Sequence, residues 1–159
     1  MKAKFQIESI GEVKIENNTY SIMLDQKYIP GLKNLEGFSH LQIVWWAHLT
    51  DNLHDRGRLV LPKLFKHGPD TIGVFATRSP IRPNPILFST IKIQEINIDK
   101  GEIFTPFIDA EDRTPVLDIK PYFSMERVRD CTEPTWCQHW PKWFEDSGKF
   151  DWRNEIVSH

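Results

Sequence analysis

The chain has 159 residues and a formal net charge of −2, with 40% hydrophobic, 12% aromatic and 26% charged side chains. That is the make-up of one folded domain, which excludes a disordered or fibrous chain. No window approaches the ~18 uninterrupted apolar residues of a membrane span, and the segment from Met1 to Gln6 lacks a secretory apolar stretch, so a cytoplasmic protein without membrane contact is expected.

Period-two alternation dominates the first two thirds of the chain. Lys4 to Ile10, then Val13 and Ile15, then Tyr20, Ile22 and Leu24 beyond an Asn17-Asn18 turn, predict a hairpin. Pro30-Gly31 and Gly37 mark breaks, and residues 39–49 predict a long buried strand. Short strands follow at 58–61, stopped by Pro62, and at 72–78. Ile91 and Ile93 share one parity and Ile96 and Ile98 the other, which predicts a β-bulge near Gln94-Glu95. Asp99-Lys100-Gly101 reads as a turn between strands, with Ile103 to Ile108 and Val116 to Lys120 beyond it. After Pro134 the spacing of Trp136, Trp140, Trp143 and Phe144, interrupted by Pro141, predicts one or two short helices packed on the sheet. The fold class expected is mainly β. It would be a small single-sheet antiparallel or mixed barrel of about eight strands over residues 1–130, with 131–159 as a helical extension on the same domain.

Charge is unevenly spread. Residues 54–82 hold six Lys/Arg (Arg56, Arg58, Lys63, Lys66, Arg78 and Arg82) against two Asp, whereas 83–119 hold three basic and seven acidic side chains. The basic stretch reads either as an anion-binding patch or as a solvated face. Cys131, Cys137 and His139 lack a clear fourth ligand, so no metal is expected.

The most informative stretch runs from Gly73 to Ile86 and contains Ser79-Pro80-Ile81-Arg82-Pro83-Asn84-Pro85. Three prolines forbid a helix and push Ser79, Arg82 and Asn84 toward extended backbone. Such a stiff connection suits the presentation of Arg78 and Arg82 to an anionic or polar ligand. It equally reads as a rigid loop with satisfied arginines, or as a PxxP ligand through Pro80-Ile81-Arg82-Pro83.

Three blocks together resemble a known family. Thr71 to Ile86 is similar, nearly residue for residue, to the signature of the TsaA-like (TrmO-type) family of S-adenosylmethionine-dependent tRNA methyltransferases. Asp112-Arg113-Thr114-Pro115-Val116-Leu117-Asp118-Ile119-Lys120-Pro121-Tyr122 resembles a second family block, and Leu35-Glu36-Gly37-Phe38-Ser39-His40-Leu41 with Trp45-Trp46-Ala47-His48 a third. The resemblance implies a small β-barrel, S-adenosylmethionine as cofactor, a homodimer, and tRNA as partner. The implied reaction is methylation of the exocyclic nitrogen of a threonylcarbamoyl-modified adenosine next to the anticodon.

The same resemblance implies Arg78 as the main side-chain contact to cofactor. His48 and Leu49 would line the pocket, Phe88 would pack on the nucleoside, and Asp112, Arg113, Thr114 and Pro115 would meet the adenosyl part. Arg82, Asn84, Arg56 and Arg58 are the candidate substrate contacts, within or beside the basic stretch. Asp118 is either a general base or an ion-pair partner of Arg78 or Arg82, and Tyr122 is a second catalytic candidate or a loop anchor. Leu87 stands where the family has a small residue, and Arg113 where it has a glycine of the kind that marks positive φ or close ligand approach. Two other readings stay open: a methyltransferase of a small molecule or nucleoside, and a non-catalytic SAM/nucleotide-binding or PxxP-type interaction module.

Overall fold

The computed structural model describes residues 3–157. The chain divides into two compact units: one is the chain up to Asp51 together with Asn84–Glu126, the other Asn52–Pro83 together with the chain from Arg127 onward.

The first unit is an antiparallel sheet. Its strands are β1 (Gly11–Glu16), β2 (Thr19–Leu24), β3 (His40–Trp46), β6 (Ile86–Lys92), β7 (Glu95–Asn97), β8 (Glu102–Thr105) and β9 (Pro115–Pro121), hydrogen-bonded in the order β6-β3-β9-β1-β2-β8-β7. The expected hairpin forms with Glu16 opposite Thr19 and only Asn17-Asn18 between them. Both asparagines have positive φ, 48° and 61°, as a tight two-residue turn requires. Lys4 to Ile10, expected to extend the first strand, are outside any strand and mostly exposed. Gly11 opens β1 because nothing larger fits: a Cβ there would sit 2.1 Å from the Met23 carbonyl oxygen.

Alternation in β3 is regular. Leu41, Ile43 and Trp45 are buried, and His40, Gln42, Val44 and Trp46 are half-buried on the other face. The strand expected over 39–49 is shorter, His40–Trp46, and is buried on one face only, since His48–Thr50 turn into a short 3-10 helix. The core gathers Val13, Ile22, Leu41, Ile43, Ile91, Ile103 and Val116, all inaccessible to solvent. Each such side chain contributes about 1.5–3 kcal/mol through burial.

The parity change after Ile93 is resolved by a break and not by the expected bulge. β6 ends at Lys92 on one edge of the sheet, and β7 begins at Glu95 on the other. The amide of Ile93 donates to the Ser39 carbonyl, while that of Gln94 donates to Phe104, each at 2.9 Å. A chain that changes neighbours within two residues can reverse which side faces the core without a bulge. No ladder joins β6 to β7 among the described residues, so the sheet is not closed into the expected barrel. The bulge lies elsewhere: Val44 pairs with Asp118 but Trp45 with Val116, leaving Leu117 as the extra residue of β9.

The second unit contains a separate two-stranded sheet, β4 (Val60–Pro62) with β5 (Thr71–Gly73), so the expectation of a single sheet does not hold. The predicted strand at 72–78 ends early because Val74–Ala76 turn into a short 3-10 helix. The helices are α1 (Leu53–Gly57), α2 (Phe144–Ser147) and α3 (Trp152–Glu155), each about a single turn. Trp136 stacks on Phe65 at 5.3 Å and Trp140 meets the same ring edge-on at 4.9 Å. Ile156 bridges to Phe65, and the Lys66 amide donates to the Glu155 carbonyl. The tryptophan stripe therefore packs on residues around Phe65, whereas Trp143, expected to continue it, is 66% exposed beyond Pro141.

Candidate functional site

Antiparallel pairing collects the first unit's share of the three sequence blocks at one end of the sheet. Trp46 at the end of β3 pairs with Ile86 at the start of β6, and Trp45 with Val116 at the start of β9. The residues that follow β3 (His48, Leu49), precede β6 (Asn84, Pro85) and lead into β9 (Asp112 to Thr114, with Pro115 its first residue) therefore share that end. The Ala47 amide donates to the Pro85 carbonyl at 2.8 Å, fixing the first two groups together.

Facing residues of adjacent strands lie on the same face. Val44 stands between Phe88 and Asp118, so both project on the face opposite the core. Phe88 is 46% and Leu49 69% exposed, an apolar surface beside the strand ends. His48 is half-buried, and its Nδ1 is fully buried without a hydrogen-bond partner. A nitrogen desolvated in this way is destabilising until a ligand atom satisfies it.

Asp112 accepts from the Ile15 amide at 2.8 Å, and its other oxygen lies 3.7 Å from Arg113 Nε. Arg113 has φ of 61°, the left-handed region that the family's glycine serves without strain. Thr114 is 1% exposed, and its carbonyl accepts from Val13 at 2.9 Å. Asp118 pairs with Lys120 at 2.6 Å, not with either expected arginine, and this contact raises the lysine pKa. Tyr122 is not part of the assembly. Its amide bonds to His40 at the far end of β3, six residues and ~20 Å along β9 from Val116.

In the second unit the proline segment is held by hydroxyl groups. Thr77 Oγ1 donates to the Val74 carbonyl at 2.8 Å and accepts from the Ser79 amide at 3.1 Å, and Ser79 Oγ accepts from the Ile81 amide at 3.2 Å. These turns replace ladder bonds that the prolines cannot make. Arg56 Nε donates to the Pro83 carbonyl at 2.8 Å, so this candidate substrate contact braces the loop. Arg78 and Asn84 are exposed, and Arg82 and Arg58 are half-buried. Asn52 caps α1 by accepting from the Asp55 amide, and it donates to the Asp55 carboxylate at 2.8 Å. That hydrogen bond, with smaller contributions from His54 and Arg58, holds the Asp55 carboxyl below its ordinary pKa.

The family model described as the tRNA-methyltransferase O N-terminal domain matches residues 4–126. The chain belongs to this family. It is 36% identical over 124 residues to the tRNA (adenine(37)-N6)-methyltransferase of Escherichia coli, covering 76% of this chain and 52% of the relative. It is also 37% identical to a probable S-adenosyl-L-methionine-binding protein of Pyrococcus horikoshii, covering 73% of this chain and 81% of that protein. The crystal structure of TrmO from Pseudomonas aeruginosa superposes with a TM-score of 0.62 at 24% identity, over 82% of this chain and 62% of that one, which shows a shared fold. The chain spans about half the length of the Escherichia coli relative.

The tRNA-methyltransferase O match ends at Glu126, so the partners of Phe65 in 134–157 lie outside the family pattern. Sequence reading missed the hydroxyl turns at Thr77 and Ser79, although Thr-x-Ser before Pro is a legible signal for them. It also missed the grouping of His67, His139 and Glu155, which no local spacing announces.

Proposed function

We propose that this protein is an S-adenosylmethionine-dependent methyltransferase acting on the exocyclic nitrogen of a modified adenosine in tRNA. The observation that carries the reading is that the β3, β6 and β9 ends holding the residues the family resemblance assigns to cofactor lie at one end of the sheet, where His48 Nδ1 is buried without a hydrogen-bond partner. The names of the Escherichia coli and Pyrococcus horikoshii relatives support it.

When bound, S-adenosylmethionine supplies an electrophilic methyl group on a sulfonium, so the protein needs no nucleophile. His48 would donate to or accept from the nucleoside, Phe88 and Leu49 would cover its apolar face, and the Asp112–Pro115 turn would offer backbone groups. The family resemblance assigns Arg78, in the second unit, to the cofactor as well. Orientation of the two reactants can contribute up to about 7–11 kcal/mol to such a transfer. Asp118, on the same face as Phe88 across β3 and paired with Lys120, is the candidate to receive the proton released from the acceptor nitrogen. The family's homodimer and cytoplasmic location belong to this proposal, as does a boundary near residue 130.

Titration calorimetry with S-adenosylmethionine, followed by labelled-methyl transfer to tRNA carrying threonylcarbamoyl-adenosine, tests the reading. Binding that weakens at least tenfold in His48→Ala, together with label in tRNA, is expected. Absence of binding removes both methyltransferase readings and leaves the interaction module. Binding without tRNA labelling moves the acceptor to a small molecule or nucleoside, a reading favoured by the net charge of −2 and the use of Arg56 as a brace.

A further inference from the structure

The second unit holds a chemistry-bearing cluster that the methyltransferase reading does not use. His67 lies in the turn before Gly68, His139 follows the short helix at Thr135–Cys137, and Glu155 ends α3. One ligand-capable atom of each lies within 4.8 Å of the others. His139 Nε2 is 3.0 Å from Glu155 Oε2, and the two imidazole rings meet edge-on with centroids 5.1 Å apart.

Glu155 is the unusual member. Its side chain is only 5% exposed, beside His139 and Trp140. Oε2 is engaged by His139, while Oε1 and the Trp140 indole N–H, which face each other, are buried outside good hydrogen-bond geometry. A buried carboxylate oxygen without a partner is costly, and chains retain buried charges where they are paired or bind a cation. Both imidazoles are on exposed residues, so the cluster opens to solvent on the histidine side and closes on the carboxylate side. An ion could enter past the histidines and be held against the acid.

Two imidazoles and one carboxylate are the donor set of zinc-class divalent ions, not of Mg²⁺ or Ca²⁺, which prefer all-oxygen shells. Ligand atoms around a tetrahedral zinc at about 2.0–2.1 Å lie about 3.3–3.4 Å apart. The His139–Glu155 pair is already near that separation, and the remaining closure of about 1–1.5 Å would fall to His67, whose side chain is in an exposed turn.

We propose that His67, His139 and Glu155 form a site for a zinc-class divalent cation, with water completing the shell. It would tie together the 63–68 turn, the 134–140 segment and α3, of which the turn and α3 are already joined by the Lys66–Glu155 and Val157–Leu64 backbone bonds. Sequence reading expected no metal because it looked for thiols near His139, whereas the co-ligands come from 72 residues upstream and 16 residues downstream.

The test uses the full chain, stripped with chelator and titrated separately with Zn²⁺, Co²⁺ and Mg²⁺. One equivalent of Zn²⁺ or Co²⁺ should bind, with a tetrahedral ligand-field spectrum for Co²⁺, a rise in thermal midpoint, and no response to Mg²⁺. His67→Ala, at an exposed position, should weaken uptake at least tenfold while leaving the circular dichroism spectrum unchanged. Glu155→Gln should do the same if it folds, and His139→Ala serves where it does not. No uptake at about a thousandfold above a micromolar Kd (about 1 mM) overturns the site. Uptake that survives loss of both histidines also overturns it, and the cluster is then a closed carboxylate–imidazole pair with the Trp140 N–H on Oε1.

Discussion

Arg56 Nε donates to the Pro83 carbonyl at 2.8 Å across 27 residues of sequence. The proline segment is thus held at its exit by a guanidinium on α1, just as Thr77 and Ser79 hold it at its entry. A hydrogen bond from a charged donor is worth about 1.5–3 kcal/mol when shielded, and less at a half-buried side chain. Arg56→Ala is expected to lose about 1 kcal/mol of local stability, read as roughly fivefold faster amide exchange at Ser79 and Ile81. Arg56→Lys should not restore it, because the ammonium lacks the planar fork. Unchanged exchange in both variants would show that the prolines alone set the loop.

Arg113 occupies the left-handed region at φ of 61° with its side chain 84% exposed. A non-glycine residue there is strained by roughly 1 kcal/mol, and the long side chain offers only a 3.7 Å contact to Asp112 in return. Arg113→Gly should therefore stabilise the chain by about 0.5–1 kcal/mol in urea unfolding. A loss of stability instead would mean that the arginine makes an energetically useful contact.

Asn52 satisfies one orphan amide of α1 and steadies the charge of Asp55. Asn52→Ala should cost about 1 kcal/mol and move the Asp55 carboxyl back up toward its ordinary value, measured by carbon-detected NMR titration. The sign follows from linkage: a carboxyl with a depressed folded pKa contributes stability above its unfolded pKa, lost as pH falls through the folded one. The variant should accordingly lose less of its stability between neutral and acid pH than the parent does.

Tyr122 and Phe88 separate the proposed site from the rest of the sheet. Phe88→Ala should weaken S-adenosylmethionine binding about tenfold, or about 1.4 kcal/mol, whereas Tyr122→Phe should leave it unchanged. The reverse result would move the cofactor to the other end of β3.

Gly11→Ala places a methyl group against the Met23 carbonyl at 2.1 Å. The clash is with backbone of the paired strand, so β1 and β2 must separate, and a loss of about 1–3 kcal/mol is expected. A midpoint unchanged in chemical denaturation would show that the end of the hairpin yields freely.

The hairpin around Asn17-Asn18, the existence of a core strand at β3 (though not its one-faced burial) and the helix-free proline segment were legible in the amino-acid order. Each follows from forces within a few residues: side-chain alternation, positive-φ tolerance, missing amide hydrogens. Family membership was legible for the same reason, since it rests on contiguous blocks. The sheet order, the open edge between β6 and β7, the bulge at Leu117 and the meeting of His67 with His139 and Glu155 were decided only in three dimensions. They depend on which distant strand or turn offers the better burial, a comparison among partners far apart in the chain that no local pattern encodes.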